Sequence, residues 1–166
     1  MINKTGEVVK VGIADMNVVK PPNVIRTSGL GSCVGVVLYD EISHTAGMVH
    51  VMLPDSCLAK ADIINRAKFA DTGIQALIHE LERRGIRPGR LKAKIAGGAQ
   101  MFHFKSGSDL MKIGPRNVAA VKEQLQMAHI PILSEDTGGN SGRTIEFDPI
   151  TFLLHIRTVN KGEQTI

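Results

Sequence analysis

The 166 residues are 43% hydrophobic and 22% charged, the balance of a globular domain and not of a disordered chain. Twenty Lys and Arg against sixteen Asp and Glu leave a net charge of only +4. These basic residues are spread along the chain, which speaks against nucleic acid as a partner and leaves a mild preference for acidic ones. The N-terminal residues lack an apolar signal segment, and no apolar run approaches about 18 residues, so a cytoplasmic protein without membrane insertion is expected.

No repeat, low-complexity tract or linker divides the chain, and one domain spanning 1–166 is the economical reading. Val8 to Ala14 reads as a first strand. Pro21-Pro22 is a break, and Val24 to Thr27 a second short strand. Val34 to Tyr39 and Thr45 to Leu53 are valine-rich strands around a turn at Asp40 to Ser43. Ile63, Ala67, Ala70, Ile74, Leu77, Ile78 and Leu81 recur at steps of three and four, the spacing of a helix with one apolar face. Gly85 stands where its C-terminus expects a glycine.

Leu91 to Ala96 alternates as a strand and leads into the loop Gly97-Gly98-Ala99. A second helix begins near Pro115 and places Val118, Val121, Leu125 and Ala128 on one face. Ile130 to Leu133 is a strand. Arg143 to Phe147 and Thr151 to Thr158 form a hairpin. About eight strands and two main helices make a mixed α/β fold. Its sheet is largely antiparallel because strands follow one another directly at both ends of the chain.

The chain holds two cysteines, Cys33 and Cys57, without the CxxC spacing of a zinc site or a redox motif. No metal or organic cofactor is expected. Cys57 lies in a Pro54-Asp55-Ser56-Cys57 loop without an identifiable partner. Cys33 ends Thr27-Ser28-Gly29-Leu30-Gly31-Ser32-Cys33, where two glycines let the backbone turn tightly between strands. A cysteine after such a turn is a candidate nucleophile; a small buried core residue is the alternative.

A base for it comes from the hairpin. With the turn centred between Glu41 and Ile42, paired residues sum to 83 and Cys33 faces His50. Directly opposed residues place their Cβ atoms about 4.5–5.5 Å apart. An imidazole at that separation can activate a thiol. Thr27 reaches the same turn, and its hydroxyl or carbonyl is a candidate acceptor for the imidazole N–H, although on these grounds alone an ordinary β-branched strand threonine is the favoured reading. Ser32 is the rival nucleophile, weaker than a thiol at neutral pH. Amides of Gly31-Ser32-Cys33 are candidate oxyanion donors. The glycine spacing, followed by a strand, does not fit a dinucleotide loop.

Thr27-x-Gly29-Leu30-Gly31-Ser32-Cys33-Val34, then His50-Val51-Met52-Leu53-Pro54, then Gly97-Gly98-Ala99-x-Met101-Phe102 resembles the chemoreceptor glutamine deamidase family CheD over nearly the whole chain. The resemblance implies a catalytic triad of Cys33, His50 and Thr27. It implies hydrolysis of glutamine side chains to glutamate on methyl-accepting chemoreceptors, and a layered sandwich like that of toxin deamidases. It also implies a CheC-type phosphatase as a second partner, for which Met101 and Phe102 are candidate contacts; core packing of Phe102 is the alternative. A non-catalytic adaptor that binds the phosphatase and receptors is the competing reading.

Overall fold

The structure, a computed structural model, describes residues 6–59, 65–101 and 112–166. Along these residues run β1 (Val8–Val11), β2 (Met16–Val19), β3 (Val24–Leu30), β4 (Val34–Asp40), β5 (Thr45–Val51), α1 (Ala70–Arg83), β6 (Lys92–Gly97), α2 (Ile113–Met127), β7 (Ile132–Thr137), β8 (Arg143–Asp148), β9 (Leu153–Thr158) and β10 (Gly162–Thr165). The expected α/β layered sandwich forms, but its strands divide between two five-stranded sheets instead of one. An outer sheet has the order β1-β3-β8-β9-β10, and a central sheet the order β2-β5-β4-β6-β7. Pairing is antiparallel except at β1·β3 and β6·β7.

The layers explain why the two valine-rich strands are apolar on both faces apart from Asp40, Thr45 and His50. β4 and β5 are buried along their whole length because helices cover one face of the central sheet and the outer sheet covers the other. Val34, Val36, Leu38, Val49 and Val51 point to the helix side, where they meet Ile74, Leu77, Leu81, Val121 and Leu125. Val37, Tyr39, Ala46 and Met48 point between the sheets and pack on Ile25, Leu30, Ile145 and Phe147. Strand alternation therefore sends Cys33, Gly35 and His50 toward the space between the sheets.

Several expected boundaries shift. β2 and β10 were not anticipated; both are four residues long, and β10 is exposed throughout. The helix expected from Ile63 starts as α1 at Ala70; Ala67 lies in a separate 3-10 turn, and Ile63 falls outside the described residues. Gly85 does close α1: at φ +88° it lets its own N–H reach Glu82 O and the Ile86 N–H reach Leu81 O. Among the described residues no helix is long and apolar enough to cross a membrane.

Candidate functional site

The chain leaves β3 in the outer sheet and enters β4 in the central sheet, so residues 31–33 cross from one layer to the other. A break in the β3–β8 register between Thr27 and Leu30, with Gly29 at φ +73°, bends the strand just before that crossing. Cys33 lies at the crossing, one residue ahead of the first β4–β5 pair, and packs partly against the cluster between the sheets.

The expected hairpin register is off by two. Paired residues sum to 85, so Gly35, not Cys33, lies opposite His50. The cause is a wider turn. The Asp40 carboxylate accepts from the Ile42 and Ser43 amides and from the Ser43 hydroxyl, and holds a four-residue loop, 41–44, closed by His44 at φ +52°. An even shift keeps every residue on its expected face, so Cys33 and His50 still share the space between the sheets. Gly35, opposite His50, lets the facing sheet approach closely. A Cβ there would stand 2.6 Å from Ile145 Cδ1 and 3.3 Å from Leu30 Cδ1.

His50 is fully buried. Its backbone is paired on both sides, with β4 and with Ala14 and Asp15. From the facing sheet, Thr27 Oγ1 comes within 2.7 Å of His50 Nδ1. The same hydroxyl lies 2.7 Å from Val11 O and donates its one hydrogen there. Toward the ring it therefore accepts, so Nδ1 carries the imidazole hydrogen and Nε2 a free lone pair. Nε2 is buried and, among the described residues, has no hydrogen-bond partner.

Burial holds the imidazole down at about 4, so it is neutral near pH 7. Burial also pushes the Cys33 thiol above its ordinary value, opposed by a hydrogen bond from its own backbone N–H. Both groups rest uncharged, a thiol and a neutral imidazole that face the same space between the sheets, and not as a preformed ion pair. Such a pair can pass a proton when a carbonyl is presented to the sulfur.

The remaining expected residues fall into place differently. Met101 is 45% exposed, with Cγ 3.4 Å from where a Gly31 Cβ would stand, so it borders the Cys33 loop. Phe102, with His103 and Phe104, lies outside the described residues. Cys57 is exposed in a 3-10 turn, and its amide donates to Asp55. Among the described residues no group of three or more His, Cys, Asp or Glu is placed to hold a metal ion. A groove of about 530 Å³ lies on the far face of the outer sheet, lined by Arg26, Glu146, His155, Arg157 and Glu163, away from Cys33.

Asn117 was missed. It is fully buried in α2, and its Nδ2 donates to Ser32 O at 2.9 Å and to Met52 O at 2.8 Å. The available signal was a polar residue in the row of Val121 and Leu125, on the helix face turned to the core.

The family profile described as CheD chemotactic sensory transduction matches residues 52–158. Chemoreceptor glutamine deamidase CheD of Bacillus subtilis is 64% identical over 159 residues, covering 96% of each chain. The protein of the same name from Bacillus velezensis is 65% identical, again over 96% of each chain. That from Halalkalibacterium halodurans is 61% identical over 96% of this chain and 99% of its own.

Proposed function

This chain belongs to the CheD family, and from that premise we propose that it hydrolyses glutamine side chains of chemoreceptors to glutamate, with Cys33 as nucleophile, His50 as base and Thr27 as the group that holds the base. The observation that carries the reading is the polarised imidazole. Thr27 fixes the hydrogen on Nδ1 and leaves the Nε2 lone pair unspent in the space that Cys33 borders.

The thiol gives its proton to His50 Nε2 as sulfur attacks the side-chain carboxamide carbon. Backbone amides at the crossing receive the oxyanion. The imidazolium protonates the departing nitrogen, ammonia leaves, and a thioester remains on Cys33. His50, neutral again, takes a proton from water, whose oxygen adds to the thioester carbon. Collapse releases glutamate, and the proton returns to sulfur. No step needs a metal or an organic cofactor.

A CheC-type phosphatase is the second partner in this reading. What supports a contact at Met101 is a half-exposed thioether next to the nucleophile's loop, where a bound protein would also cover Cys33. Met101→Glu is expected to weaken capture of the phosphatase and leave the protein folded.

Mass spectrometry of receptor cytoplasmic fragments tests the activity. Incubation with this protein gives the glutamine-to-glutamate mass gain at discrete sites, and incubation with Cys33→Ala gives none. Mass gain that persists with Cys33→Ala removes the nucleophile; no gain with either form, on a verified substrate, leaves the adaptor reading.

A further inference from the structure

We propose that Asn117 is a positioning residue that turns the Ser32–Cys33 peptide so that the Cys33 N–H faces the oxyanion; this rests on the deamidase reading above. Three successive carbonyls at the crossing are each held by a donor. Ala99 N reaches Gly31 O at 2.8 Å, and Gly98 N reaches Cys33 O at 2.8 Å. Between them, the Asn117 side chain reaches Ser32 O. The outer two donors belong to one backbone loop. The middle one is a single side chain.

A trans peptide directs its C=O and its N–H to opposite sides. With the Gly31 and Ser32 carbonyls both held, the Ser32 and Cys33 amides point the other way. Neither is taken up by another described residue. The Cys33 N–H acts on its own sulfur, which places it on the thiol's side of the chain. Two amides beside a nucleophile, neither held by another described residue, are what a tetrahedral oxyanion requires.

The second Asn117 bond supplies the register. Met52 follows His50 by two residues, so one amide group ties the nucleophile's loop to the end of the base's strand. Packing alone does not account for the residue. Its Oδ1 is buried without a partner among the described residues, a cost that an aliphatic side chain in the row of Val121 and Leu125 would avoid. Both Nδ2 hydrogens are spent on the two segments that carry the chemistry.

Asn117→Ala and Asn117→Ser, made in a Cys57→Ala background, test this. In each, kcat and KM are measured on a receptor fragment, and Cys33 is titrated by its rate of alkylation with iodoacetamide against pH. Loss of the aimed amide lowers kcat about 100-fold with KM nearly unchanged. It also moves the thiol titration to higher pH, because the thiolate loses its backbone donor; Asn117→Ser, which keeps one donor, falls between. A retained kcat overturns the proposal, and so does a lowered kcat with an unmoved thiol titration, the mark of a merely structural residue.

Should neither variant fold, the unaltered protein decides. A glutamine-derived aldehyde bound to Cys33 shifts the Cys33 amide proton downfield in the NMR spectrum; an unshifted proton overturns the proposal. Wild-type protein that fails to deamidate a verified receptor fragment defeats the deamidase reading instead, and the alkylation titration still reports whether Asn117 aims the amide.

Discussion

Thr27 Oγ1 lies 2.7 Å from His50 Nδ1, and the two residues sit in different sheets. The contact fixes the tautomer of a buried ring across a layer boundary. Thr27→Val removes it, leaves Nδ1 and Val11 O without their partner, and frees the ring hydrogen to move to Nε2. The deamidation rate is expected to fall at least about tenfold, within the range general-base catalysis contributes. Thr27→Ser restores most of it. Nitrogen NMR of the ring reads the tautomer directly, and a ring still protonated at Nδ1 in Thr27→Val would sink the assignment.

The His50 value of about 4 sets a pH window for stability. The folded protein binds that proton more weakly than the unfolded chain, whose histidine titrates near 6.5. Stability from this group is therefore complete above pH 6.5 and is lost as pH falls toward 4, by about 3 kcal/mol at most. Denaturant unfolding at steps between pH 7 and 4 should show that loss, and His50→Gln should flatten it. The rate of deamidation should show no descending limb from histidine protonation between pH 7 and 5. A limb centred near 6.5 would mean that the ring is hydrated.

Gly35 makes room for Ile145 and Leu30 opposite His50. Gly35→Ala drives a methyl group to 2.6 Å from Ile145 Cδ1, which must move. Overpacking of this kind costs about 1–3 kcal/mol. It should lower both the unfolding midpoint and the turnover rate. Unchanged turnover in the folded variant would show that the space serves packing alone.

α2 ends in the same hydrogen-bond pattern as α1, with the His129 N–H on Gln126 O and the Ile130 N–H on Leu125 O. The residue at the left-handed position is His129 at φ +57°, where α1 has Gly85. A histidine there carries a steric cost that glycine lacks. His129→Gly should raise stability by up to about 1 kcal/mol in denaturant unfolding, with activity unaltered. A loss of stability would show that the imidazole makes a compensating contact.

What could be read in advance follows the range of the forces involved. α1, its glycine stop and the buried valine strands were legible because periodicity and local backbone preference act over a few residues. The sharing of one face by Cys33 and His50 was legible for the same reason, since strand parity survives an even shift. The two-residue register error came from Asp40, whose side chain builds a wider turn than its neighbours suggest. Thr27 could only be a candidate, because its partner lies 23 positions away in another sheet.

By itself, the sequence determined which side chains are candidates for the chemistry, which faces are apolar and which family the chain resembles. All of these depend on residue identity and short spacing. The tertiary structure alone decided that the strands split into two sheets, that Thr27 meets His50 between them, and that Asn117 spans Ser32 and Met52. Those are contacts between segments far apart in the chain. They form only when burial of both faces of β4 and β5 draws the outer sheet and the helices onto the central one.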